Sequence, residues 1–219
     1  MFQNSLDFEV LDLGLVLYKN VIPNPESIIN NINSLDDKVN SNVHDGIRTA
    51  AKPWEPWSYE NLVFCDKKYL PQPELIQPND FYYKELLEIS EALYNSLEVA
   101  KNHYANVLYP YAGRNIKGRE FNIDLLRYKP GGHLPAHQDQ GISTRILSTV
   151  SYLNDDYVGG EIEFMHSGIK IKPPAGSIIF FPSNYLYVHE VHPIVSGERY
   201  ALPHWFHNRE DFLISDGTE

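Results

Sequence analysis

Apolar positions recur along this chain in two rhythms. Between residue 15 and about residue 110 the texture is mixed, with helices prominent. "LVLYKNVIP" reads as a strand, followed by Asn24 as a helix N-cap and Pro25 at the first helical position. Ile28, Ile29, Ile32, Leu35 and Val39 then recur at helical spacing. A second helical pattern opens at "NDFYYKELLEIS", with Asn79 or Asp80 as its cap. It runs through Leu86, Leu93, Leu97 and Ala100 towards Tyr109, with room for a break. Between the two helices lie turn-rich stretches. One of them, residues 41–60, carries Arg48, Trp54 and Trp57 and is a candidate lid, because long loops in compact domains are commonly functional.

From residue 120 the rhythm is that of strands. "FNIDLLRY", "STRILSTVSYL", "GEIEF", "GIKIKP", "GSIIFFP" and "ERYALPHWF" are short apolar or alternating runs, punctuated by Pro-Gly-Gly, Asn-Asp-Asp, Gly-Gly and Ser-Gly. Such regular short strands predict a sandwich or barrel, and eight strands in two sheets make a jelly roll. The expectation is an α+β, mainly β fold: a double-stranded β-helix (jelly-roll) core with N-terminal supporting helices. We expect a single domain over 1–219, with strands, helices and the candidate lid in 1–119, the core in 120–208 and a tail in 209–219.

Composition narrows the function classes. The chain has 219 residues with 42% hydrophobic and 21% charged content, which suits one globular domain. No apolar run reaches the length of about 18 residues needed to span a membrane, and the N-terminus does not resemble a signal peptide. The net charge of −11 argues against broad nucleic-acid binding. The lone Cys65 cannot form an intramolecular disulfide and fits a reducing, cytoplasmic setting.

The candidate chemistry begins at "GGHLPAHQDQ", where His137 and Asp139 stand two positions apart. If 137–139 is extended, both side chains enter one pocket and can hold a metal together. Two histidines and one carboxylate on one side of an octahedral ion leave three positions open for substrate and oxygen. The second histidine should come from a late strand. His189 is the best placed and His192 competes, but Arg199 opens an otherwise apolar strand ten residues beyond His189. In that strand Arg199 shares a face with Ala201, Pro203 and Trp205. A guanidinium inside a barrel is costly unless it meets an anion, and its fork suits a carboxylate. A zinc hydrolase could use the same metal ligands without needing the arginine.

His137-x-Asp139, His189 and Arg199 together resemble the signature of Fe(II)/2-oxoglutarate-dependent dioxygenases, most closely the prolyl 4-hydroxylase-like subgroup. "LLRYKPGGHLPAHQD", "STVSYLND", "GGEIEF" and "HEVHPIVSGERYALPHWF" are each similar to that subgroup in order, and "IRTA", residues 47–50, resembles the start of its mobile substrate loop. The resemblance implies that His137, Asp139 and His189 hold Fe(II). It implies that Arg199 and Tyr152 take the C5 carboxylate of 2-oxoglutarate, that Tyr128 also contacts the cosubstrate, and that Trp205 is an aromatic near the iron. Oxygen is the second cosubstrate, and ascorbate is a supporting reductant. A carboxylate at Asp139 occupies the position that halogenating relatives leave to chloride, so hydroxylation is expected. Leu134, where relatives often carry tyrosine, and Pro203, where some carry threonine, depart from the pattern.

The expected substrate is a prolyl residue in a protein or peptide, with Arg48, Trp54 and Arg145 as substrate contacts. A free amino acid or small metabolite is the enzyme alternative, with nucleic-acid demethylation behind it. A jelly-roll binding module without catalysis is the alternative from another class. Neither nucleic acid nor membrane is an expected partner, and the chain is expected to be a monomer or homodimer.

Overall fold

The computed structural model describes residues 6–39, 60–65, 81–119, 122–141 and 144–208. The candidate lid, with Arg48, Trp54 and Trp57, lies outside the described residues, as do the caps Asn79 and Asp80 and the tail. The chain opens with strands β1 (Asp7–Asp12) and β2 (Leu15–Lys19), then helix α1 (Pro25–Val39) and strand β3 (Glu60–Cys65). Helix α2 (Phe81–His103) follows, with a short α3 (Pro110–Gly113) and strands β4 (Gly118–Arg119) and β5 (Asn122–Tyr128). Next come β6 (Leu134–His137), β7 (Arg145–Tyr152), β8 (Val158–Gly159), β9 (Ile162–Phe164) and β10 (Ile169–Ile171). The last strands are β11 (Ser177–Pro182), β12 (His189–Val191), β13 (Ile194–Ser196) and β14 (Arg199–His207).

Two antiparallel sheets form the jelly roll. The larger has the order β1-β2-β11-β7-β14-β5-β3, with β4 paired to β14, and the smaller has the order β10-β9-β12-β6. β1 and β2 join the larger sheet through the pairing of β2 with β11. The N-terminal segment therefore extends the core sheet as well as supporting it with helices.

The central strands of the larger sheet, β2, β7, β11 and β14, are largely buried on both faces, which explains why they read as apolar runs. Along β11, Ile178 and Phe180 face the helices while Ile179 and Phe181 face the other sheet. β2 divides in the same way, with Val16 and Tyr18 towards the helices and Leu15 and Leu17 towards the barrel interior. On α2, Ile89, Leu93, Leu97, Ala100 and the following Tyr104 lie on one stripe and complete the helix-side core. Three- and four-residue spacing is what an amphipathic helix requires. Asn24 precedes α1 at φ 48°, in the left-handed region, and its carbonyl accepts from the Ser27 and Ile28 amides.

The expected break in the second helix is a π-helical turn, Tyr104–Leu108, closed by Tyr109 N–H donating to the Tyr104 carbonyl at 2.8 Å. It aims two phenols at the β1–β2 turn. The Tyr104 hydroxyl donates to the Gly14 carbonyl, and the Gly14 amide donates to the Tyr109 hydroxyl, both at 2.9 Å. Gly14 has φ +76°, so a residue without Cβ suits the turn. The wider i→i+5 turn thus ties the helix to the edge of the sheet.

Tyr104→Phe leaves the Gly14 carbonyl without this partner, and the expected cost is about 1–2 kcal/mol of stability. Urea denaturation should show a lower midpoint with an unchanged slope.

Candidate active site

β6 and β12 lie side by side in the smaller sheet with His137 directly opposite His189. Their rings are 4.4 Å apart between centroids. Each ring is pinned by its own strand. His137 Nδ1 is 2.8 Å from the Pro135 carbonyl, and His189 Nδ1 is 3.0 Å from the Tyr187 carbonyl. A carbonyl only accepts, so Nδ1 carries a proton in both rings, and Nε2 is the lone-pair atom whenever the ring is neutral. Phe181, edge-on at 4.8 Å, and Phe164 at 5.7 Å hold the buried His189 from the barrel side.

β6 ends at His137, and Asp139 sits in a bend. The extended geometry expected for 137–139 is therefore not what brings the carboxylate in. The bend is anchored by the Gln140 amide donating to the Ser183 carbonyl at 2.9 Å. Asp139 Oδ1 lies 3.4 Å from His137 Nε2. Ligand atoms of His137, Asp139 and His189 all fall within 4.8 Å of one another. Two imidazole nitrogens and a carboxylate on one side of a point form a donor set that suits a divalent transition metal with open positions.

The electrostatics agree with that use. Burial pulls the Asp139 carboxyl upward, but hydrogen bonding with His137 and the Ser148 hydroxyl, and the nearness of the His189 ring, hold it well below the ordinary range. It is an anion at neutral pH. Burial lowers the pKa of His189, with Asp139 only partly offsetting it, so that ring is neutral and able to coordinate. For His137 burial also acts downward, and the Asp139 partnership outweighs it and raises the pKa.

Deeper in the same cavity lies Arg199, 1% exposed. Its register places it opposite Tyr128, and its guanidinium carbon is 4.8 Å from the Tyr128 ring centroid and 5.1 Å from that of Tyr152. Arg199 Nε has no hydrogen-bond partner and no carboxylate pairs with the side chain among the described residues. The buried Tyr152 hydroxyl likewise lacks a hydrogen bond of regular geometry. A buried cation at one end of a cavity, with a phenol behind it, suits a small anion. The cavity, about 230 Å³, has walls from Leu126, Val150, Ile162 and Val191. As the face-sharing argument requires, Ala201, Pro203 and Trp205 line it beside Arg199. Arg145, at the far end of β7 from Tyr152, also lines it and stacks 3.8 Å from the Trp205 ring centroid.

The competitor His192 faces elsewhere, bonded to Glu163 Oε2 at 2.6 Å and lying 3.3 Å from Glu190. Tyr128, Trp205, Arg145, Leu134 and Pro203 all border the cavity, and Tyr152 stands behind its wall against Arg199. Arg48 and Trp54 lie outside the described residues. Two contributors escaped the sequence reading. Ser148 supports Asp139 and bonds the Ser183 hydroxyl at 2.8 Å. Tyr157, from the loop after β7, is buried near Arg199. The alternation of "STVSY" could have drawn attention to Ser148, but no pattern marks Tyr157.

A jelly roll that gathers two histidines and a carboxylate beside a buried arginine suits a divalent metal and a small anion in one cavity. Residues 123–207 match the model of the 2OG-Fe(II) oxygenase superfamily. A PKHD-type hydroxylase of Prochlorococcus marinus (strain MIT 9215) is 38% identical over 97 residues. That match covers 42% of this chain and 42% of the relative, so less than half of each is aligned. Among solved structures, a Pseudomonas putida prolyl-4-hydroxylase aligns with a TM-score of 0.56 at 20% identity, over 90% of this chain and 93% of that one. A Trichoplax adhaerens prolyl hydroxylase, solved with a hypoxia-inducible-factor peptide fragment, gives 0.62 at 16% identity, over 93% and 87%. These likenesses establish the fold. No helix among the described residues is long and apolar enough to cross a membrane.

His189→Ala should abolish tight Fe(II) binding, while His192→Ala should leave it within about two-fold of the parent protein, as expected for a residue away from the ligand set. Equilibrium titration with Fe(II) under anaerobic conditions distinguishes them, and the opposite ranking would remove His189 from the site.

Proposed function

We propose that this chain couples the oxidative decarboxylation of 2-oxoglutarate to hydroxylation of an unactivated C–H bond, with a prolyl residue of a protein or peptide as the substrate. The observation that carries this reading is one cavity holding both a three-ligand cluster and, deeper, a buried arginine with no carboxylate partner among the described residues. A zinc hydrolase would gain nothing from that arginine. A binding module without catalysis would have no use for the ligand cluster.

In this reading His137, Asp139 and His189 hold Fe(II), which supplies the oxygen activation that side chains cannot. Arg199 binds the distal carboxylate of 2-oxoglutarate by charge-assisted hydrogen bonds, and the Tyr152 hydroxyl donates to the same group. Tyr128 covers one face of the guanidinium and borders the cosubstrate. The apolar walls exclude water, which strengthens each of these interactions and protects the reaction from side products. Trp205 and Arg145 shape the part of the cavity where the target carbon must enter. Arg48 and Trp54 complete the substrate contacts. The peptide preference draws on what the relatives are called, including the putative prolyl 4-hydroxylase of Acanthamoeba polyphaga mimivirus. A cytoplasmic location, as a monomer or homodimer, belongs to this reading, as does ascorbate as a supporting reductant.

Succinate formation from 2-oxoglutarate should require Fe(II) and rise with proline-containing peptides, with a 16 Da gain on the peptide by mass spectrometry as the oxygen-insertion product. Arg199→Ala should raise the KM for 2-oxoglutarate by roughly 10²-fold or more, because an anion would then be left in a poorly solvated pocket. Tyr152→Phe should cost less, about one hydrogen bond to a charged group, or roughly 1.5–3 kcal/mol. An unchanged KM in Arg199→Ala would remove the cosubstrate assignment. Succinate without peptide oxidation would leave the oxygenase and discard the peptide.

A further inference from the structure

Tyr157 is the third phenol near Arg199 and has no part in the roles assigned above. It is 1% exposed, and its hydroxyl is buried with no hydrogen-bond partner of regular geometry among the described residues. Its ring packs with Leu126, Tyr128, Val191 and Ile194 in a small core of its own. The residue is held from several directions. Lys172 donates to the Tyr157 carbonyl at 3.0 Å and sits 5.2 Å from the ring centroid. A Cβ on Gly160 (φ +68°) would come within 3.0 Å of the ring, and one on Gly197 (φ +80°) within 3.0 Å of the Tyr157 Cα. Two turns in left-handed conformations thus leave room for one aromatic residue.

A phenylalanine would fill that space without burying an oxygen, so the hydroxyl needs an explanation. Tyr128 and Tyr152 present their rings to the guanidinium, whereas no ring stacking joins Tyr157 to it among the described residues. Neither Arg199 Nε nor the Tyr157 hydroxyl has a hydrogen-bond partner of regular geometry there. Burial raises the Tyr157 pKa, and the charge of Arg199 and hydrogen bonding with its side chain oppose that rise, which marks the two as neighbours.

We propose that Tyr157 is a positioning residue for the cosubstrate carboxylate. Its hydroxyl accepts from the Arg199 guanidinium, fixes the plane of the fork and thereby sets the chain length of the dicarboxylate that fits. This rests on the reading of Arg199 as the 2-oxoglutarate site. Rigidity matters because a five-carbon and a six-carbon 2-oxo diacid differ only in where the distal carboxylate falls. A guanidinium free to turn would meet either one.

The test compares Tyr157→Phe with the parent enzyme on 2-oxoglutarate and 2-oxoadipate. It also measures the melting temperature of the metal-free protein with and without glutarate. The KM for 2-oxoglutarate should rise by about five-fold or more, as for loss of one ordinary hydrogen bond. Preference should shift towards 2-oxoadipate, and kcat at saturation should stay within about two-fold, the pattern of lost ground-state positioning. Glutarate should protect the metal-free variant less than the parent, while the melting temperature without it stays the same. Unchanged cosubstrate parameters overturn the inference, whether the variant melts normally or early. If Arg199→Ala raises the KM and Tyr157→Phe does not, only this inference falls. If neither raises it, the parent reading falls as well.

Discussion

The pairing of β6 with β12 is the constraint on which the site depends. His137 stands opposite His189 and Leu134 opposite Val191, with a register shift between the two pairs. A slip by one residue would turn either histidine to the opposite face of the sheet, since side chains alternate with period two. The register is held by more than these two strands. β12 also pairs with β9, aligning His189 with Phe164, and Val191 aligns with Ile162 in the same ladder. Phe164 and Ile162 are buried in the barrel, so a slip would expose them along with the histidine. The metal-ligand geometry and the hydrophobic core are therefore specified by one alignment.

Arg199 imposes the second constraint. A wholly buried cation destabilises a fold unless its surroundings compensate, and here the partial compensation comes from aromatic faces. Tyr128 and Tyr152 belong to strands on either side of β14, so the cation is caged by its own sheet neighbours. The cage is incomplete in hydrogen bonds, which suits the site to an anion of matching size. Stability given up at this point becomes binding free energy, a common arrangement at functional sites.

The central strands were legible in the sequence because both of their faces are largely buried. Runs such as "SIIFFP" cannot be explained by one apolar face, and each side of β11 indeed meets a different core. Arg199 was legible for a related reason: a lone charge in an apolar, alternating strand is expensive and must have a use. His189 could be preferred over His192 only through its distance from that arginine, and the structure gives His192 a hydrogen-bonded partner elsewhere, Glu163. Asp139 was found through an argument whose geometry does not hold, since the strand stops before it. The bend that delivers it depends on Gln140 reaching the Ser183 carbonyl, a contact between distant parts of the chain that no local pattern encodes. Ser148 and Tyr157 were missed for the same reason, because their roles depend on tertiary neighbours. The π-helical turn is an intermediate case. A break in the helical pattern was visible, but its form depends on Gly14, some ninety residues away.

The cavity thus joins two regions under different physical control. At its deep end, charge and burial leave few solutions: a cation, the phenols around it and two imidazoles beside a carboxylate. Towards Arg145 and Trp205 the wall is built from stacked, partly exposed side chains, whose replacement would disturb neither register nor buried charge. Leu134 and Pro203, the two positions that depart from the prolyl hydroxylase pattern, both border this cavity while leaving the three ligands and Arg199 intact. Leu134 lies at the start of β6, opposite Val191 in the same ladder that aligns the histidines, so its side chain is placed as firmly as theirs. A leucine there offers no hydroxyl, and a proline in β14 offers neither hydroxyl nor amide hydrogen. Both departures make the wall less polar without touching His137, Asp139, His189 or Arg199. In the proposed reading, a substrate's polar groups must then be met elsewhere along the entrance, so the choice of target is set there and not by the residues proposed for the oxidative chemistry.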